Sequence, residues 1–166
     1  MHDALLIYFT GEKNASVFLG ALGVAVIAAA AVLARTRSDL RSCAATLGIV
    51  ALIEIAIGVG LHLRTGPQVS RLTTQLASEP ARFHSDEAAR MARVQRNFVV
   101  IEYIEVTIVV GSAIAAVVWK QRPMPAGIAL GLLVHAAFLL AFDIIAERRG
   151  DVYLKALETV FRPPHL

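Results

Sequence analysis

Four carboxylic acids lie inside stretches of the chain that are otherwise almost entirely apolar. A deep histidine accompanies them, and the five residues are Glu54, Glu102, Glu105, His135 and Asp143. Ionised side chains are expensive at membrane depth, so they usually face the interior of a helix bundle and mark a functional site. The pattern therefore predicts an acidic intramembrane cluster that binds protons or a cation.

The spacing of these residues restricts the chemistry. Glu102 and Glu105 are three residues apart, so both side chains can reach one partner from the same helix face. His135 and Asp143 are eight residues apart, about 12 Å along a helix, and cannot bind one ion together. Carboxylates with at most one histidine suit a hard cation or protons better than zinc or copper. The sequence identifies no cofactor, and the identity of any bound metal stays open.

The depth of each acid follows from its distance to the nearest charged border. At about 1.5 Å per residue, Glu102 and Asp143 lie at a common level about 8–9 Å inside the apolar stretch. Glu54, Glu105 and His135 lie deeper. The sequence thus predicts an upper and a lower level of one cluster.

An entrance to the cluster is expected at the charged border itself. Glu147 extends the upper level, and Arg96 and Arg148 stand next to it in depth. Long basic side chains can bend along a helix toward such acids. We expect the two arginines to close the entrance by pairing with Glu102 and Asp143.

The apolar stretches are long enough to cross a membrane. Hydrophobic residues make up 57% of the 166 residues and charged residues 17%, with a mean hydropathy of +0.64. Soluble domains are about 25% charged, and a spanning helix needs about 20 mostly apolar residues. The sequence predicts one domain over residues 1–166 with spans near 15–35, 42–64, 97–119 and 124–147.

The expected fold is an all-α, integral membrane four-helix antiparallel bundle with short interfacial helices. Pro67 is expected to end the second helix, because proline removes a helical hydrogen bond. The connection 65–96 is expected to lie at the interface and to include a short helix at 69–77. The third helix, near 85–120, is expected to be the longest, and a separate amphipathic helix is expected at 153–161.

The basic residues predict an orientation. Eleven of the sixteen lie on the face that holds both termini and the 65–96 connection. The positive-inside rule then places that face in the cytoplasm, here of a bacterial inner membrane. Arg90, Arg93 and Arg96 are expected to form a solvated stripe facing lipid phosphates, and no nucleic-acid partner is expected.

Small residues in the first span predict a contact with another helix. Gly20, Gly23 and Ala28 permit close approach of two helices. The sequence leaves two partners open, a second copy of the chain in a homodimer or another helix of the same bundle. A different membrane protein is a further expected partner.

Three stretches carry a resemblance to known proteins. They are Tyr8–Lys13, Arg90–Phe98 and Phe142–Arg149. Together they resemble a family of small bacterial four-span inner-membrane proteins over most of the chain. The resemblance implies a four-span fold and no particular activity.

Two classes of function fit this sequence. One is a transport, ion-binding or proton-linked protein that uses the acidic cluster. The other is a non-catalytic interaction or accessory subunit whose acids serve helix packing. A membrane enzyme of lipid or thiol chemistry is a weaker third, because the chain has no phosphate loop, nucleophile elbow or HExxH motif.

Overall fold

A computed structural model describes residues 1–160, and these residues form four α-helices joined by short connections. The helices are α1 (His2–Thr36), α2 (Arg41–Ser78), α3 (Pro80–Val118) and α4 (Pro123–Val160), with one 3₁₀ turn at Ser38–Leu40. Residues 1–160 contain no strand, so the all-α prediction is confirmed. Each of the four helices is long and apolar enough to span a membrane.

The prediction that Pro67 ends the second helix is wrong, because α2 continues through it to Ser78. Thr65 is buried before the proline, and Leu72 is buried after it. Thr65 also donates its hydroxyl proton to the carbonyl of Leu61. Packing on both sides of Pro67 therefore outweighs the one hydrogen bond that proline removes. The separate interfacial helix at 69–77 is likewise part of α2.

Each of the other helices also extends further than predicted on the side of the termini. The first begins at His2, well before residue 15, and the third begins at Pro80, a residue type that is favoured in the first turn. The fourth continues to Val160, so the separate helix expected at 153–161 is part of α4. Phe161 of that expected helix lies outside the described residues, and so does Arg162, one of the eleven basic residues counted above. Of the four, α3 is longest, at 39 residues.

These extensions converge on a compact apolar core. The start of α1, the end of α2, the start of α3 and the end of α4 meet at one end of the bundle, which we call the termini end. Its core residues are Leu5, Tyr8, Phe9, Leu72, Phe83, Met91, Tyr153 and Leu157. They all lie outside the predicted spans. The extensions are therefore continuous with the spans because burial of this core holds them in place.

The spans themselves present large apolar side chains outward. Ile49, Leu52, Tyr103, Val117 and Val134 are each at least half exposed. Such a surface is unfavourable in water but suits a bilayer, where lipid tails cover it. The outer surface thus agrees with a multi-pass membrane protein.

Glycines bring the helices into close contact within the chain. The backbone of Gly58 lies against Ser16 and Gly20 of α1, and Gly23 lies against Ala51 and Ile55 of α2. Gly20 and Gly23 of α1 are thus used inside one bundle, whereas Ala28 is exposed. The homodimer that they suggested remains a prediction.

The close approach at Gly58 gives the first testable prediction. A Cβ atom at Gly58 would lie 2.9 Å from the carbonyl oxygen of Ser16, whereas one at Gly60 would meet nothing within 4 Å. We expect Gly58→Ala to lower the free energy of unfolding in mild detergent by about 1–3 kcal/mol, because the backbones must separate. Gly60→Ala, on the same helix, is the matched control and should not destabilise. Equal unfolding transitions for both variants would contradict this packing.

Candidate functional site

The deepest polar contact joins α2 to α4. Oε1 of Glu54 lies 3.1 Å from Nε2 of His135, and the two residues are 2% and 6% exposed. Neither atom makes a hydrogen bond of good angle, although the distance suits one. The helices approach closely here because Gly127 and Gly131 of α4 lie against the backbone of Cys43 in α2. The contact is therefore tight but leaves hydrogen-bonding capacity unused.

A second contact joins α3 to α4 through two acids. Glu105 is 6% exposed, and its carboxyl group lies beside that of Asp143. Two ionised carboxylates at such a contact repel each other, so a proton on one of them favours the contact. Oε2 of Glu105 is buried with no partner. The contact is therefore a place where a proton could be held between two helices.

The shallower acids pair in the same manner. Glu102 lies beside Glu147, again across α3 and α4. Arg96 and Arg148, which were expected to close an entrance here, make no ion pair within residues 1–160. The predicted pairing of these arginines with Glu102 and Asp143 is therefore not found in residues 1–160.

Three of the acids meet in one internal cavity of about 380 Å³. All four helices line it, and Glu54, Glu105 and Asp143 face it together. His135 contacts Glu54, and neither His135 nor Glu102 lines the cavity. The structure thus brings together part of the predicted cluster around a single space.

The cavity extends toward the termini end, where its lining becomes basic and aromatic. The polar residues there are Tyr8, Glu12, Arg64, Arg90 and Arg149. Arg64 follows Glu54 by ten residues and Arg149 follows Asp143 by six, which correspond to about 15 Å and 9 Å of helix. The cavity is therefore acidic at depth and basic toward the termini end.

Arg90 is held at this end by a buried ion pair. Its Nε and Nη2 atoms each donate to the Glu87 carboxylate at 2.7 Å, and the Tyr153 hydroxyl donates to Glu87 Oε1 at 3.1 Å. Glu87 is only 1% exposed. A buried carboxylate is tolerated when charge-assisted hydrogen bonds satisfy both oxygens, as they do here.

Aromatic rings cover this ion pair. The rings of Tyr8 and Tyr153 stack with centroids 4.7 Å apart, and the Arg90 guanidinium lies 5.6 Å from the Phe9 centroid. Tyr8 also shares a hydrogen bond with Glu12. Arg90 was expected in a solvated stripe, but it is partly buried because Glu87 and these rings enclose it.

The sequence reasoning missed Arg90 and Arg149, although a signal for both exists. Arg90, Val94, Phe98, Ile101 and Glu105 follow one another by three or four residues and so share one face of α3. On α4, Leu139, Phe142, Asp143, Ala146 and Arg149 follow the i, i+3, i+4, i+7, i+10 pattern of one helix face. Steps of three or four residues from Glu105 lead to Arg90, and the same steps from Asp143 lead to Arg149. These are two of the arginines that line the cavity.

Metal coordination finds no support in the described part of the chain. Within residues 1–160, no three histidine, cysteine, aspartate or glutamate side chains come together as ligands of a metal ion.

Comparisons with known proteins add no identification. No family model, curated protein or solved structure matches this chain. The resemblance to small bacterial four-span proteins therefore remains a prediction, and function must be argued from the geometry.

The buried ion pair gives the second prediction. We expect Glu87→Gln to lower the free energy of unfolding by about 3 kcal/mol, because it leaves the Arg90 charge without its partner. Tyr153→Phe should cost about 1 kcal/mol through its single hydrogen bond. Asp151→Asn breaks only the exposed pair with Lys155 on the same helix, so it is the control and should cost at most about 1 kcal/mol. Chemical unfolding followed by circular dichroism measures all three, and equal effects would contradict the buried network.

Proposed function

We propose that this chain is a small multi-pass membrane protein that binds and releases protons at paired acids within the membrane. The observation that carries the proposal is that the carboxyl groups of Glu105 and Asp143 lie beside each other at one cavity, where a proton on one acid relieves their repulsion. Glu54 and His135 supply a second titratable pair beside the same cavity. Proton exchange requires such pairs in a space that protons can reach.

The cavity supports a path for those protons. Its polar lining comprises the acids at depth and, at the termini end, Tyr8, Glu12 and Arg149. Titratable groups inside membrane proteins commonly act as proton relays when they line such spaces. A metal cation is less favoured as the ligand, because no three histidine, cysteine, aspartate or glutamate side chains of residues 1–160 come together as ligands of one ion.

A packing role for the acids is the second candidate function. The 3.1 Å contact between Glu54 and His135 favours it, because an interhelical polar contact can fix how two helices pack. In that case the chain would act as an accessory or interaction subunit. The two candidates differ in whether the acids exchange protons.

Proton uptake by purified protein tests the proposal. We expect Glu105→Gln to reduce the protons taken up between alkaline and neutral pH by about one per chain, because the proton that Glu105 and Asp143 hold together at neutral pH is then lost. Glu54→Gln should reduce uptake over this range in the same direction. Glu158→Gln removes an exposed acid of α4 that does not line the cavity, and it serves as the control.

Infrared spectroscopy at neutral pH adds an independent reading. Wild-type protein should show the carbonyl band of a neutral carboxylic acid, and Glu105→Gln should weaken it. If both glutamine variants keep the wild-type uptake and the band while the melting temperature falls, the acids serve packing and the proton proposal is wrong.

The proposal includes an orientation, in which the helices alternate in direction and both termini face the cytoplasm. The excess of basic residues at the termini end supports it. In a Cys43→Ser background, we expect an impermeant maleimide applied to intact cells to label Ser38→Cys. Ser78→Cys should react only after the membrane is opened, and both positions are exposed on the protein. Labelling of both variants in intact cells would contradict this topology.

A further inference from the structure

The walls of the internal cavity are apolar apart from its acids and its basic end. Ile53, Ile57, Phe98, Ile101 and Phe142 line it. Its volume of about 380 Å³ lies in the range of sites for small organic ligands, about 300–1,000 Å³. Protons alone need no such space, so the cavity has room for a ligand with a substantial apolar part.

The deep half of the cavity favours positive charge. Glu54, Glu105 and Asp143 face it, and the basic lining residues are Arg64, Arg90 and Arg149 at the termini end. Oε2 of Glu54 and Oε2 of Glu105 are both buried without a hydrogen-bond partner, in residues only 2% and 6% exposed. These unused acceptors belong to residues that line the deep half of the cavity, where they could receive hydrogen bonds from a cationic group.

A lateral route leads to this half of the cavity from the lipid. Ile53 and Ile57 of α2 and Ile101 of α3 line the cavity and are also 54%, 52% and 41% exposed on the outer surface. α2 packs mainly on α1 and α4 and touches α3 little. Only apolar side chains therefore separate the acids from the bilayer between α2 and α3.

We infer that the cavity binds a lipophilic organic cation, which enters from the bilayer between α2 and α3 and settles against Glu54 and Glu105. The inference rests on the proposed function, because the same acids exchange protons. Binding forms no covalent bond: the cation takes the place of a proton that leaves one acid. The rings of Phe98 and Phe142 suit such a ligand, since aromatic faces attract cations. An anion of the same shape has no favourable partner at this depth.

Two probes of matched shape and opposite charge test the inference on the wild-type chain in lipid nanodiscs. Calorimetry should show saturable binding of tetraphenylphosphonium with proton release, and no saturable binding of tetraphenylborate. This comparison needs no variant and so does not depend on a substitution that affects folding. Equal behaviour of the two probes would overturn the inference.

Variants locate the site. Glu54→Gln and Glu105→Gln should each weaken phosphonium binding about 10-fold to 100-fold, as expected for loss of a charged partner. Ile53→Trp should reduce binding at the lateral opening. Leu52→Trp, its exposed neighbour that does not line the cavity, should leave binding unchanged. Unchanged affinity in both glutamine variants would also overturn the inference, because the cation would then be bound elsewhere.

The failure of this inference can be told from failure of the proposed function. If the glutamine variants lose proton uptake but the wild-type chain does not prefer phosphonium to borate, the acids exchange protons without this ligand. If proton uptake is unchanged in both variants, the proposed function itself is wrong.

Discussion

The length of the helices governs the rest of this structure. Helices of 35–39 residues are about 52–59 Å long, whereas the hydrocarbon core of a bilayer is about 30 Å thick. A large part of each helix must therefore lie outside the lipid, where a lone amphipathic extension would expose apolar surface to water. The four extensions solve this together by forming the core around Phe83, Met91 and Leu157. One end of the bundle thus folds like a soluble protein, and the rest is solvated by lipid.

The two environments treat buried acids differently. Glu87, in the core at the termini end, receives hydrogen bonds from Arg90 and Tyr153 on both of its oxygens. Glu54 and Glu105, at the depth of the spans, each keep a buried oxygen without a partner. The fold thus supplies hydrogen bonds to both oxygens of one buried carboxylate, yet it leaves oxygens of the membrane-depth acids without hydrogen bonds. This contrast supports a role for those acids beyond packing.

Sequence reasoning recovered the helices, but not the helix ends or the faces on which the acids lie. Apolar runs identify a span through composition alone, and axial rise gives the depth of Glu54 or Asp143 without any knowledge of neighbours. The rise per residue does not show which side of the helix a residue occupies. The sequence therefore indicated Arg96, and not Arg90, as the arginine near the acids. The break expected at Pro67 follows from the local preference of proline. Other parts of the chain bury Thr65 and Leu72 on either side of it, and this burial overrides the local preference. Contacts between distant segments are what a local pattern does not contain.

The stacking of Tyr8 on Tyr153 has a consequence for the order of folding. The two residues belong to the first and the fourth helix, so the ribosome makes almost the whole chain before they can meet. Domains generally fold as units during synthesis, N-terminal regions first. Here the first three helices must enter the bilayer while Leu5, Tyr8 and Phe9 still lack their partners on α4. Completion of the core at the termini end is therefore a late event in biogenesis, and it reports that the fourth helix has been inserted.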